Sequence, residues 1–310
     1  MKKMRLFETN AEASILTWNK RKDYAFAFIT TGLLIGSLAV LALLIYDLMS
    51  QGISRMSLQF LTSFPSRFAE RAGILAAWVG SLATILVTAV MAIPMGMAAA
   101  IYLEEYAAKT KFSSFIELCI SNLAGVPSIL FGLLALGLFV QRFHMGNSIL
   151  TAGCTLALLI LPIVIVATRE ALRSVPSSLR EAAYALGATK WEVIRDHLIP
   201  SAASGILTGI IISLSRALGE SAPLITIGAL TFIAFLPTAP IQPDFPFLSF
   251  KWLFDPFTVM PVQVFNWVSR PQEEFHANAA AAAVVLLVLT LSLNGVAIGL
   301  RIYLRRKSKW

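Results

Sequence analysis

The chain has 310 residues, of which 57% are hydrophobic and 14% charged, with a mean hydropathy of +0.75. Soluble domains carry about 25% charged residues, so this composition excludes one water-soluble globule and points to a lipid bilayer. The formal charge of +8 does not call for nucleic acid, because most basic residues flank apolar runs on one side, as in a protein oriented in a membrane.

Stretches without a formal charge run 24–46, 72–103, 118–141, 143–168, 197–215, 221–243 and 275–300. About 20 apolar residues cross about 30 Å of hydrocarbon at a helical rise of 1.5 Å per residue. The first stretch is longer than the apolar core of a signal peptide and no small-x-small cleavage site precedes Asp47. Residues 24–50 are therefore expected to form a retained anchor helix behind a tail over 1–23. In the next two stretches Pro94, Gly125 and Pro127 are candidates for kinks, or for freeing backbone groups inside a moving bundle. Gly and Pro are also simply commoner in membrane helices.

The segment 169–200 interrupts the apolar pattern. Residues 181–186 favour a helix, Gly187 can supply the positive φ that ends it, and a second short helix is expected from Thr189 towards Pro200. Tyr184, Leu186, Trp191, Val193 and Ile194 leave apolar side chains on this charged segment. They suit either the groove of a partner or the surface of the membrane.

Between 197–215 and 221–243 stands SRALGES, residues 215–221. Arg216 and Glu220, four apart, share a helical face, and a charge at membrane depth costs at least about 2.5 kcal/mol, so both are expected to face the bundle interior. Two readings stand side by side: an internal salt bridge that fixes packing, or a cationic contact for a passing anion that Glu220 holds and partly neutralises. The loop 236–274, with Pro237, Pro243, Pro246 and Pro261 among Phe245, Trp252, Phe265 and Trp267, suits an ordered outer cap or an interfacial helix.

If 197–243 crosses a net once and both termini lie inside, 18 Lys and Arg fall inside and 6 outside. Crossing twice would send the five basic residues of the tail outward, against the positive-inside tendency. The expectation is an all-α polytopic bundle of about six transmembrane helices, with its main domain over 72–303 and a basic tail over 304–310. GILAAWVGSLATI at 73 and GILTGIIISLSRA at 205 echo each other too weakly to argue a duplicated half.

No catalytic centre is visible. There is no GxxxxGK[ST] loop, GATK at 187–190 has the wrong spacing, and neither GxSxG nor HExxH occurs. Cys119 and Cys154 lie far apart inside apolar runs, and His144, His197 and His276 are isolated, so neither a disulfide framework nor a metal site is supported. No cofactor and no enzymatic activity are expected.

The stretch EAAYALGATKWEVIRDHLIP, 181–200, resembles the EAA loop of the permease subunits of ABC importers. Glu181, Ala182 and Ala183 supply its first element, Gly187 its glycine and Pro200 its final proline. His197 and Ile199 depart from the family's Ile and Leu. Four further stretches resemble the phosphate branch of that family: IPMGMAAAIYLEEYA (93–107), LAGVPSILFGL (123–133), SRALGESAPL (215–224) and MPVQVFNWVSRPQEEFHANAAAA (260–282). The last is most similar to the PstA type, one of two different permease subunits. The resemblance implies a MetI-like fold in a bacterial or archaeal plasma membrane. It implies docking on a cytoplasmic ATP-binding subunit dimer through the loop, with Lys190 and Trp191 beside the motif, and pairing with a second permease subunit. An extracytoplasmic phosphate-binding protein and membrane lipid complete the implied partners, with Arg216 and Glu220 in the substrate pathway. A permease for another oxyanion remains an alternative within the family, and an ion-coupled secondary transporter and a non-transporting membrane scaffold are readings of a different class.

Overall fold

The computed structural model describes residues 2–108, 110–241, 247 and 249–307, with side chains described from 18 to 303. Lys109, Pro243, Phe245, Pro246 and the tail beyond 307 lie outside the described residues. The chain divides into two units, Met1–Gln51 and Gly52–Trp310.

The first unit is one helix, α1 (Lys2–Gly52), covering both the expected tail and the expected anchor. From Tyr24 to Leu44 its apolar side chains are exposed on the chain itself, as suits a helix solvated by lipid.

The second unit is helical throughout its regular structure among the described residues. Ser57 accepts the Phe60 N–H and starts the short α2 (Leu58–Thr62). Then α3 (Leu75–Ile101) runs on into a wider π-helical turn at Tyr102–Tyr106. Thr110 and Ser148 cap α4 (Lys111–Leu123) and α6 (Ile149–Arg173), each side chain accepting a backbone N–H of the first turn. Between them, α5 (Ser128–Ala135) widens into a π-helical stretch, Leu136–Arg142. Beyond α6 come α7 (Ser177–Ala185) and α8 (Lys190–Glu192), the latter continuing through Val193–Leu198 into α9 (Ile199–Gly219). The last elements are α10 (Ala222–Thr226), α11 (Met260–Val268) and α12 (Glu274–Lys307).

Five of these helical runs are long and apolar enough to cross a membrane, and the pair α4–α5 makes a sixth if its two limbs count as one span. The uncharged stretch 118–141 is thus not one straight helix. Its limbs meet at 105° across 124–127, where Gly125 and Pro127 stand. Pro127 lacks an N–H and disfavours helix at the residue before it, so the break falls where the sequence permits it. Pro94, by contrast, sits exposed within the continuous α3. The stretch after α9 adds no second crossing, in keeping with one net crossing for 197–243: after the five-residue α10 the chain is irregular as far as 241.

Small residues allow the central helices to approach closely. A Cβ at Gly96 of α3 would stand 2.6 Å from Cγ1 of Val164 in α6, and Thr88 donates to the Gly153 carbonyl at 3.2 Å. Gly205 and Gly209 of α9 face Ala171 and Ala167 of α6, so these two helices run antiparallel. On its other side α9 meets α12, where Ser215 Oγ lies 2.5 Å from Asn294 Oδ1 and Arg301 donates to Thr208 at 2.8 Å.

The loop 236–274 and the adjoining Phe275 are built inward more than expected. Trp267, Phe257, Met260 and Gln263 are fully or almost fully buried, and Trp267 packs between Phe60 and Phe275 at centroid distances of 6.0 and 6.3 Å. These aromatics therefore hold the α11–α12 corner together, while Phe254 and Phe265 stay exposed.

Candidate functional site

Two groups of residues separate along the bundle. The first is the segment from α7 to α9. Gly187 takes φ +84, a left-handed conformation that ends α7, and Thr189 with Glu192 forms a capping box that starts the next helix. That helix does not stop near Pro200. Pro200 sits inside this continuous run, just past the wider π-helical stretch Val193–Leu198 that already interrupts the regular ladder of hydrogen bonds, and the helix continues to Gly219.

This continuity sorts the apolar residues. Val193 and Ile194 are 1% and 0% exposed, packed with Leu172, Val175, Leu198 and Ile206 as the segment's own core. They do not present themselves to a partner as the sequence suggested. Leu186, 89% exposed, Trp191 and Tyr184 stay on the surface. Of the motif residues, Ala183 is buried, while Glu181, Ala182 and Gly187 are exposed. Lys190 lies over the Tyr106 ring, 4.7 Å from its centroid, tying the loop back to the end of α3.

Sequence reasoning missed what holds this segment in place. Glu104 and Glu105, in the turn after α3, receive Arg173 at 2.9 Å and Arg180 at 3.0 Å. Arg180 also donates to the carbonyls of Leu172 and Val175. The signal was the adjacent pair of glutamates in IYLEEYA set against three arginines in 169–180, but which end of which helix they share is a tertiary fact.

The second group is Arg216 and Glu220. Arg216 Nε is 3.5 Å from Glu220 Oε1, a long contact, and Glu220 is the residue at which α9 ends. Antiparallel stepping along α6, from Ala171 opposite Gly205 and Ala167 opposite Gly209, brings Arg216 roughly level with Ile160, near the middle of that membrane-length helix. The neighbours Ala217 and Leu218 pack in the same core as Leu156 and Ile160. The pair is not enclosed by the chain's own helices, as the cost of buried charge led us to expect. The Arg216 side chain is 45% exposed and that of Glu220 19%. Ala217 and Leu218 face inward, so Arg216, one residue earlier, faces out.

Immediately after Glu220, α10 packs on α5. A Cβ at Gly132 of α5 would stand 2.7 Å from Cα of Pro223, so only glycine fits there. The two short helices that follow the breaks at 124–127 and at 219–221 are thereby joined. Among the described residues no group of three or more His, Cys, Asp or Glu side chains is arranged to hold a metal ion.

Such a chain, all-helical, with membrane-length spans broken near their middle and an exposed charged knuckle at one end, has the fold of an ABC importer permease. A bacterial alginate ABC transporter in complex with alginate-bound periplasmic protein matches with a TM-score of 0.64 at 15% identity, covering 93% of this chain and 96% of that one. The MetNI methionine ABC transporter in an inward-facing conformation matches with a TM-score of 0.54 at 16% identity, covering 73% and 91%. The chain belongs to the family of binding-protein-dependent transport system inner membrane components, whose model matches residues 92–307. It is a multi-pass integral membrane permease.

Relatives of closer sequence fall within the same group. The chain is 32% identical over 274 residues to the probable ABC transporter permease protein YqgI of Bacillus subtilis, covering 86% of this chain and 92% of that protein. To the phosphate transport system permease protein PstA of Xylella fastidiosa it is 32% identical over 84% of each chain. To that of Haemophilus influenzae it is 33% identical over 69% of this chain and 76% of that one.

Proposed function

We propose that the protein is the PstA-type permease subunit of an ATP-driven inorganic phosphate importer and forms half of its translocation pathway. The observation that carries the pathway is Arg216, a guanidinium exposed on the chain at the depth where α9 stops, with Glu220 beside it. A planar donor set suits an oxyanion, and the adjacent carboxylate keeps the anion from being held too tightly to leave. The substrate follows from the likeness to phosphate permeases named above.

An exposed ionisable pair at membrane depth needs a second surface to keep it from lipid. A homologous permease subunit facing Arg216 completes the conduit, and lipid covers the remaining exposed apolar faces. The charge balance of 18 basic residues against 6 supports both termini, and the 169–200 segment, on the cytoplasmic side of the plasma membrane. There Leu186, Trp191 and Tyr184, with Glu181, Ala182, Gly187 and Lys190, dock in a dimeric ATP-binding subunit. The loop 236–274 faces a phosphate-binding protein outside. Pro94, Gly125 and Pro127 serve as gating positions.

Phosphate carries about 1.5 to 2 negative charges at neutral pH, and each charge moved against 100 mV costs about 2.3 kcal/mol. Import into a negative-inside cell therefore needs a driving force, which in this reading is ATP hydrolysis in the partner subunit. The test is ATP-dependent phosphate uptake into proteoliposomes holding this chain with and without its ATPase, second permease and binding protein. Uptake is expected only with the complete set. A complete complex that hydrolyses ATP and moves arsenate or sulfate but no phosphate would remove the substrate, and uptake by this chain alone would remove the ATP-driven class.

A further inference from the structure

A buried arginine joins three helices at the α7 end of the bundle. Arg169 of α6, its side chain 8% exposed, places Nη2 2.7 Å from Glu117 of α4 and Nε 3.4 Å from Glu104 after α3. The contact with Glu117 is an ion pair by distance and not an aligned hydrogen bond, since Nη2 has no hydrogen-bond partner. Glu104 and Glu105 also receive Arg173 and Arg180, so α7 and the end of α6 are fixed to α3 through two adjacent carboxylates.

The attachment of α4 is far slighter. None of its residues is buried, and its apolar packing on Ala100, Leu103 and Ile165 comes from the partly buried Ile116 and Ile120. A cleft of about 290 Å³ separates it from α6, lined by Ser114, Ser121, Val166 and Arg173 besides the ion pair itself. At its other end α4 turns through 105° into α5, and α5 bears on α10 through Gly132, directly after Glu220. Glu117 is therefore the polar link in a mechanical path from the α6–α7 end to the Arg216–Glu220 pair.

We propose that Arg169 is a positioning residue for transport: it makes α4 follow the α6–α7 end through Glu117, and so passes movement of that end to α5, α10 and Glu220. The proposal rests on the ATP-driven reading above. Replacing Glu117 leaves Arg169 its second carboxylate, Glu104, so the variant does not strand a buried charge.

In the assembled complex, Glu117→Gln is expected to keep ATP hydrolysis within about twofold while phosphate moved per ATP falls about fivefold or more, the size of an ordinary coupling free energy. Glu117→Asp restores part of it. A second readout does not depend on substrate. With Cys119 and Cys154 replaced by alanine, spin labels at Ser121→Cys on α4 and Ser174→Cys after α6 report their separation with and without trapped nucleotide. The distance is expected to stay fixed between the two states with Glu117 present and to change or broaden in Glu117→Gln.

An unchanged ratio of uptake to hydrolysis in Glu117→Gln, or hydrolysis and uptake falling together with the distance fixed, overturns the proposal. If the parent complex moves no phosphate, the substrate assignment fails and the label distances alone decide the positioning role.

Discussion

Truncating Leu186 and truncating Ile194 to alanine should have opposite consequences, although both are apolar residues of one short segment. Leu186 is 89% exposed and touches little within the chain, whereas Ile194 is fully buried among Leu172, Val175, Leu198 and Ile206. Burying a leucine side chain is worth about 1.5–3 kcal/mol. If the ATP-binding subunit covers Leu186, Leu186→Ala forfeits about 1–2 kcal/mol of association, a five- to thirtyfold loss of affinity, at no cost to the permease itself. Ile194→Ala leaves the docking surface intact but opens a cavity, costing about 2–5 kcal/mol of stability. Titrating the detergent-solubilised permease with its ATPase subunit, alongside thermal melting of each variant, separates the two. Affinity of Leu186→Ala within twofold of the parent would take the loop tip out of the contact. A well-folded Ile194→Ala that binds the ATPase poorly would refute the division into core and contact residues.

Further outcomes follow from the same geometry. Arg216→Ala should abolish or strongly lower uptake while the complex still assembles, and Arg216→Lys, which keeps the charge without the planar fork, should recover part of it; full uptake by Arg216→Ala in proteoliposomes would leave the pair a packing contact only. Gly132→Val should disturb the α5–α10 contact, because a Cβ there already stands 2.7 Å from Pro223 Cα, and is expected to impair transport more than Gly137→Val, where nothing lies within 4 Å. Gly187→Ala has open space around the new methyl but must hold φ at +84, so it should lower the melting stability of the α7–α9 segment by about 1 kcal/mol without steric damage elsewhere. Glu192→Ala, which opens the capping box on Thr189, should speed hydrogen exchange at the start of α8.

Much of this architecture was legible in the sequence because lipid imposes a simple rule. Runs without charge had to become helices, and α1, α3, α6, α9 and α12 stand where those runs stand. The knuckle could be read from local chemistry, since Gly187 and the Thr189–Glu192 box act within a few residues. Absence of charge says that a segment tolerates the membrane, not that it crosses in one piece: the positive-inside count required 197–243 to cross a net once, and Gly125 and Pro127 marked where 118–141 breaks, but neither gave the 105° angle. The sidedness of Val193 and Ile194 depended on α9 continuing past Pro200, which turns a short surface helix into the end of a long packed one. The exposure of Arg216 was hidden because the cost of buried charge predicts shielding without saying which chain supplies it. The arginine cluster around Glu104 needed three helix ends brought together, which no local pattern encodes.

The early end of α9 also alters the electrical profile of the membrane around it. A helix leaves its last carbonyls short of partners, and here that of Ala217 accepts the Glu220 N–H at 3.3 Å. Hydrocarbon offers nothing to a carbonyl left without a partner, so a helix end at this depth is a place for water or a partner's donors. Where water penetrates, the transmembrane voltage no longer drops across the full hydrocarbon thickness but is compressed into what stays dry. On the proposed pathway, an anion resting beside Arg216 has already passed part of the field, and only the remainder of the roughly 2.3 kcal/mol per charge per 100 mV is left for the next conformational step.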